Sequence, residues 1–278
     1  MGMAKRINMG NIETRIQEFK SRGNSMKIAI ITGASSGLGV KFLEAVISKY
    51  PNLDEYWIIA RRKERLDELA NKFKEKKIVC IEADLTSEQS YKDIENRLEN
   101  DKPIVKVLIN NAGYEKSGYF ADMNNSDLQN MINVNIKGMT IIQRLCVPYM
   151  GAGSYTVITC SVSAFVPVPN QTVYSASKKY VYYFGRALRA ELSAKKINVL
   201  LLCPGNMDTE MNPKGQARQS KQINKLPFLD MEKLTKKALE KAENGKAVYT
   251  PGGFYKFYRI AAKVLPSSIM IHFVKGYY

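Results

Sequence analysis

The sequence predicts an α/β protein, a single doubly wound domain on a mainly parallel seven-stranded sheet with helices on both faces. Three observations predict it. From Lys27 onward, seven short apolar runs alternate with longer segments of helical periodicity, the pattern of repeated βα units. Most of these runs are continuously apolar, as strands covered on both faces require. No internal repeat or low-complexity linker interrupts them, and 278 residues with 45% apolar content suffice for one large core.

Taken in order, the expected strands are Lys27–Gly33, Tyr56–Arg61, Ile78–Asp84, Val105–Gly113, Tyr155–Ser161, Asn198–Gly205 and Ala247–Pro251. The helical segments carry their own punctuation. In the last one before the seventh strand, Asp230 is placed as N-cap, Leu234, Ala238, Leu239 and Ala242 share a face, and Gly245 closes the end. This reading makes residues 27–252 the body. Residues 1–26 form a leader, disordered or helical, with Ile12, Ile16 and Phe19 on one face after Asn11; Met26 is an alternative natural start. Residues 253–278 form an amphipathic helical extension. Phe254, Phe257, Tyr258, Ala261, Val264 and Leu265 are expected on one face of it and Lys256, Arg259 and Lys263 on another. Pro266 then breaks the helix, and Ser267 starts a second short one.

Composition excludes several function classes. Cys80, Cys146, Cys160 and Cys203 are scattered without metal-ligand spacing, which argues against a metal site and for a reduced, cytoplasmic setting. The only histidine, His272, sits among apolar residues and reads as a packed or surface side chain. A net charge of +16 raises the question of nucleic acid, but the cations are diluted among acids and no recognition motif accompanies them. No run of about 18 apolar residues is present, so the protein is expected to be soluble or at most peripheral to a membrane.

The chemistry concentrates at strand ends. The first strand runs into TGASSGLG, Thr32 to Gly39, and then into a helical pattern. Glycines at 33, 37 and 39 let the backbone turn tightly and approach a pyrophosphate, to which the helix N-terminus offers free N–H groups and a positive dipole. Farther along stands YSASK, Tyr174 to Lys178, whose first and last residues share a helix face. A phenol ordinarily titrates near pH ~10, so a neighbouring ammonium is what brings it within reach of proton exchange near neutrality.

The TGxxxGxG spacing resembles that of the short-chain dehydrogenase/reductase family. So do NNAG (Asn110 to Gly113), Asn135 within NVNIKG, the YSASK segment, and PGNMDT (Pro204 to Thr209). The resemblance spans Lys27 to about Gly252. It implies a Rossmann domain and an NAD(P)-dependent oxidoreductase that interconverts a ketone or aldehyde with a secondary alcohol. Tyr174 is then the general acid/base, Lys178 its partner, and Asn135 the residue holding a water that links Lys178 to solvent. Thirteen residues separate Ser161 from Tyr174, the family's spacing for its active-site serine; Ser163 is the rival. A donor there serves the carbonyl oxygen as it gathers charge during hydride addition.

By the same resemblance the cofactor lies on Gly33, Ser35, Ser36, Gly37, Leu38 and Gly39. Asp84 and Leu85 lie at its adenine; Asn111, Ala112 and Gly113 flank it; Tyr174, Lys178, Pro204, Gly205 and Thr209 lie toward its nicotinamide. At the end of the second strand, where a carboxylate would bind the ribose of NAD, this chain has Arg61 and Arg62. Guanidinium groups pair with a 2′-phosphate, so NADP(H) is expected over NAD(H), with reduction as the physiological direction.

The substrate is expected to be a steroid-like, lipid-like or other amphipathic carbonyl. The basic segment carrying Lys214, Arg218, Lys221 and Lys225 adds a preference for anionic versions. A homodimer or homotetramer is expected through the helices bearing Asn135 and Tyr174. The tail is expected over the pocket or against a sister subunit, with peripheral membrane contact as the lesser option. A nucleotide-binding redox sensor and a related epimerase or dehydratase remain alternatives.

Overall fold

A computed structural model of the chain describes residues 26–210 and 226–275. Seven strands form one sheet: β1 (Lys27–Thr32), β2 (Glu55–Ala60), β3 (Ile78–Glu82), β4 (Ile104–Asn110), β5 (Tyr155–Thr159), β6 (Asn198–Leu202) and β7 (Val248–Tyr249). Their order is β3-β2-β1-β4-β5-β6-β7, and every pairing is parallel. The expected sheet is therefore present, wholly parallel where a mainly parallel one was predicted. Several strands stop short of the expected ends, because Gly33, Asn111 and Cys203–Gly205 belong to the turns that build the site.

The unbroken apolar runs follow from burial on both faces. In β1, Ile28 and Ile30 enter one core cluster while Ala29 and Ile31 enter the other. Leu200 and Leu202 of β6 likewise face away from Val199 and Leu201. Helices α1 (Gly37–Lys49), α2 (Lys63–Asn71) and α7 (Met231–Glu243) cover one face with Phe42, Leu66 and Leu239 among others. Helices α3 (Glu88–Asp101), α5 (Met139–Cys146) and α6 (Thr172–Ser193) cover the opposite face with Ile94, Ile142 and Val181. Full burial of each such side chain contributes about 1.5–3 kcal/mol.

Local signals place the helix ends. Asp230 accepts from the N–H groups of Glu232 and Lys233 at 3.0 and 3.1 Å, and Gly245 follows the helix with φ +68°. Between α4 (Asn125–Ile132) and α5 the helix widens into a π-helical stretch, Asn133–Gly138. Such widenings frequently mark functional positions.

The tail forms two helices, α8 (Gly253–Val264) and α9 (Ser267–Lys275), broken at Pro266 as expected. The expected apolar face of α8 is split between buried and exposed residues. Tyr255 and Tyr258 are buried, whereas Phe254, Phe257, Val264 and Leu265 are exposed. Tyr255 bonds to backbone at its tip, and the Tyr258 ring joins Val166, Met270 and Val274 in a separate small cluster. The predicted leader, apart from Met26, and Lys214, Arg218, Lys221 and Lys225 of the basic segment lie outside the described residues.

Candidate active site

In a parallel sheet all strands end on one edge, and the crevice opens where the order reverses, here between β1 and β4. A cleft of about 680 Å³ lies there, lined from the ends of β1 through β6. Of the catalytic and cofactor residues expected from the sequence, all but Gly39 and Asn135 line it.

Gly39 is needed for close approach. A Cβ there would lie 2.0 Å from the Gly33 carbonyl oxygen and 2.8 Å from Ala34 Cα, so the turn could not fold against the start of α1. Ser36, the N-cap of α1, has an extended backbone, and its hydroxyl makes no capping hydrogen bond. The Gly39 N–H donates to the Ser36 carbonyl at 3.1 Å, and Ser35, Ser36, Gly37 and Leu38 line the cleft where α1 begins, a helix N-terminus suited to a pyrophosphate.

The NNAG segment is built as a clasp. The Thr32 hydroxyl accepts from the N–H groups of Asn111 and Ala112 at 2.9 and 3.0 Å. Asn111 Nδ2 donates back to the Thr32 carbonyl at 3.3 Å, and its Oδ1 accepts from the Thr159 hydroxyl at 3.1 Å. One side chain therefore ties the ends of β1, β4 and β5 together. Asn110 performs a related task by donating to the Met139 carbonyl at 2.9 Å.

At the other end of the cleft, Arg62 reaches over the glycine turn and donates to the Ser35 hydroxyl at 3.1 and 3.4 Å. It also pairs with Glu210 at 2.8 Å, as Arg65 does at 3.2 Å. These contacts hold the Glu210 carboxyl below the usual carboxylate range, chiefly through its hydrogen bond with Arg62. Arg61 lines the same end. Asp84 also lines the cleft and accepts from the Thr86 N–H at 2.9 Å.

Tyr174 and Lys178 occupy successive turns of α6 and face the cleft, both buried. Lys178 Nζ donates to the Thr159 carbonyl at 3.2 Å and lies 5.7 Å from the centre of the Tyr174 ring. Burial pushes the Lys178 ammonium below its ordinary value, opposed in part by the nearby Glu115 carboxylate.

Asn135, in the π-helical stretch, grips the backbone of Tyr114 from both sides. Its Oδ1 accepts from the Tyr114 N–H and its Nδ2 donates to the Tyr114 carbonyl, each at 2.8 Å. Nδ2 also donates to the Ser177 hydroxyl at 3.1 Å, which donates to the Tyr174 carbonyl at 2.7 Å. The side chain thus links the loop after β4 to the helix carrying Tyr174.

Ser161 and Ser163 both line the cleft, in different states. Ser161 Oγ accepts from the Ser163 N–H at 3.1 Å, opening a short 3₁₀ turn. The Ser163 hydroxyl donates to Gln171 Oε1 at 3.3 Å, and Gln171 Nε2 donates to Glu115 at 2.5 Å and to Ser117 at 3.2 Å. Glu115 and Gln171 were missed in the sequence. Gln171 stands one helical turn before Tyr174, and Glu115 two residues after NNAG; that spacing is the only signal the chain offered.

Comparison with known proteins agrees with this arrangement. The sequence profile described as short chain dehydrogenase matches residues 27–220. The chain belongs to the short-chain dehydrogenase/reductase family.

As a member of it, the protein is an NAD(P)-dependent oxidoreductase. It is 33% identical to the very-long-chain 3-oxoacyl-CoA reductase-B of Danio rerio over 195 residues, 67% of this chain and 61% of that one. An uncharacterized oxidoreductase of Staphylococcus epidermidis is 29% identical over 188 residues, covering 66% and 80%. Among solved structures, a short-chain dehydrogenase from Sphingobium yanoikuyae in complex with NADPH matches with TM-score 0.71 and 28% identity, over 82% and 88% of the two chains. The bulky-bulky ketone specific alcohol dehydrogenase from Comamonas testosteroni matches with TM-score 0.66 and 27% identity, over 85% and 90%.

Proposed function

We propose that this short-chain dehydrogenase/reductase is an NADP(H)-dependent reductase of an amphipathic ketone, with Tyr174 as the proton donor. The observation carrying the proposal is the buried Tyr174–Lys178 pair, with Lys178 anchored on the Thr159 carbonyl beside the glycine turn.

The residues present fit a dinucleotide. The close backbone approach at Gly39, the first N–H groups of α1 and the arginines beyond Ser35 suit its pyrophosphate and a 2′-phosphate respectively. Asp84 and Leu85 line the cleft toward the adenine end, and Asn111, Ala112, Gly113, Pro204, Gly205 and Thr209 line the remainder. Bound there, the cofactor supplies a hydride.

The protein's own part is proton handling and orientation. In this proposal Ser161 and Tyr174 donate to the substrate carbonyl oxygen, and Tyr174 releases its proton as negative charge builds there. The Lys178 ammonium lowers the cost of the phenolate. Asn135, by gripping Tyr114 and Ser177, fixes the path along which Lys178 is reprotonated through water.

For the substrate, the wall formed by Ser163, Gln171 and Glu115 favours a carbonyl compound with a hydroxyl or other donor near the reacting carbon. The named activities of the Danio rerio and Comamonas testosteroni proteins support a long-chain or bulky ketone, and the NADPH complex of the Sphingobium protein supports the cofactor choice. Assembly as a homo-oligomer through α4 and α6 is consistent with the exposed Ile132, Tyr180 and Tyr183 on these helices. A cytoplasmic location agrees with the scattered, unpaired cysteines.

Fluorescence titration with NADPH and NADH, followed by a ketone panel read at the nicotinamide absorbance, tests this reading. Tight NADPH binding with turnover of one ketone class supports it. Binding without turnover on a broad panel would move weight to a sensor, and no nucleotide binding would overturn it.

A further inference from the structure

Among the described residues, seven of the twelve exposed large apolar side chains fall between Phe254 and Phe273. Monomeric proteins rarely gather such side chains in one place without a use. On α8 the most exposed are Phe257 (70%), Ile260 (61%) and Val264 (76%), recurring at three and four residues, so they form one stripe. On α9, Ile269 and Phe273 are exposed as well, with a spacing of four. The stripe is separate from the face that anchors the tail, which uses Tyr255, Tyr258, Met270 and Val274.

Charge accompanies the stripe. From Asn244 to Tyr278 the sequence holds five Lys or Arg residues and no Asp or Glu. Lys256 and Lys263 are exposed on the flank of α8, and among the described residues neither pairs with a carboxylate. A protein partner with an apolar face would complement the stripe alone. An anionic bilayer complements both parts, taking the apolar side chains below the headgroups and the lysines among the phosphates.

We propose that α8 and α9 form a docking surface for an anionic phospholipid bilayer. No helix among the described residues is long and apolar enough to cross a membrane, so the contact is interfacial. Its position gives it a consequence for the cleft. The Tyr255 ring lies over Gly205, where a Cβ would come within 2.0 Å of it, and its hydroxyl accepts from the Asn206 N–H at 3.1 Å and donates to the Pro227 carbonyl at 2.7 Å. Gly205 and Asn206 line the cleft. The docking helices are thus fixed on the rim of the substrate end, and a lipid-dissolved ketone would reach it beside the membrane. The binding claim stands independently of the substrate reading.

Co-sedimentation of the full chain with vesicles tests the proposal, using neutral phosphatidylcholine alone and phosphatidylcholine mixed with phosphatidylglycerol. The protein is expected to pellet with the anionic vesicles. Phe257→Ser with Val264→Ser should weaken this by roughly tenfold or more, and Lys256→Ala and Lys263→Ala by about fivefold each at low salt. All four side chains are exposed, and unchanged thermal melting confirms folded variants. Absence of pelleting with anionic vesicles overturns the proposal. Undiminished pelleting of the apolar variant also overturns it, since the overall positive charge would then suffice. If sedimentation velocity shows a dimer that the apolar substitutions dissociate, a second copy of the chain covers this face and the bilayer does not.

Discussion

The two ends of the cleft are built on different terms. The end proposed for the nucleotide rests on backbone: a turn closed by the absence of a side chain at Gly39, a helix start without a side-chain cap at Ser36, and strand ends clasped by Thr32 and Asn111. The end proposed for the substrate rests on side chains linked to one another, from Ser163 through Gln171 to Glu115, with the tail's Tyr255 over its rim. A backbone cradle tolerates almost no added atom, whereas a side-chain relay can be retuned one residue at a time. Function varies with the site grafted on a fold more than with the fold itself, and the side-chain end is where such variation is easiest.

Substitutions at the two ends should therefore fail in different ways. The largest effect is expected at the substrate end, where Tyr174→Phe keeps the ring and removes the proton. Turnover should fall by on the order of 10²–10⁴-fold, with NADPH titration unchanged; substantial residual activity would remove Tyr174 from the acid role.

Gly39→Ala is the corresponding break at the nucleotide end. The new methyl group meets backbone that cannot step aside, so stability should drop by about 1–3 kcal/mol and nucleotide binding should be lost. A melting curve that stays in place with binding intact would contradict a rigid cradle.

Specificity within the cradle is tested by replacing Arg61 and Arg62 with Ala together. NADPH affinity is expected to fall on the order of tenfold to a hundredfold while NADH is nearly unaffected. Equal losses would show that neither residue reads the 2′-phosphate.

A pH profile sharpens the reading of Lys178. Its useful form is the ammonium, present below its pKa and lost as pH rises through it. Burial lowers that pKa, so the alkaline limb of kcat should arrive below the ordinary lysine value of about 10.4. A limb at or above that value would argue against Lys178 as the titrating group.

The smallest effect concerns Glu210, which occupies Arg62 in the structure. Glu210→Gln should free the guanidinium and tighten NADPH by about two- to fivefold, the modest range expected of an exposed pair. Weaker binding would mean that the carboxylate instead orders the arginine for its ligand.

Legibility in the sequence followed the same division. Strand positions were readable because both faces of a parallel sheet demand apolar residues, and the glycine turn because backbone geometry restricts residue type. Asn111 was expected beside the cofactor and lines the cleft, but its role as a clasp across β1, β4 and β5 depends on hydroxyls at Thr32 and Thr159, which lie far apart in the chain. For the tail, periodicity gave the helices and the break at Pro266. It did not tell which aromatic residues are buried, because those on both sides of α8 look alike until something is packed against one of them.

By itself, the sequence determined the element order, the family, the glycine cradle and the Tyr174–Lys178 spacing, because each is a local constraint on residue type. The tertiary structure alone decided that Glu210 holds Arg62, that Glu115 and Gln171 share the wall with Ser163, and that Phe257, Ile260 and Val264 face outward. Such contacts join residues far apart in the chain or turn on which helix face meets the core, and local pattern carries no information about either.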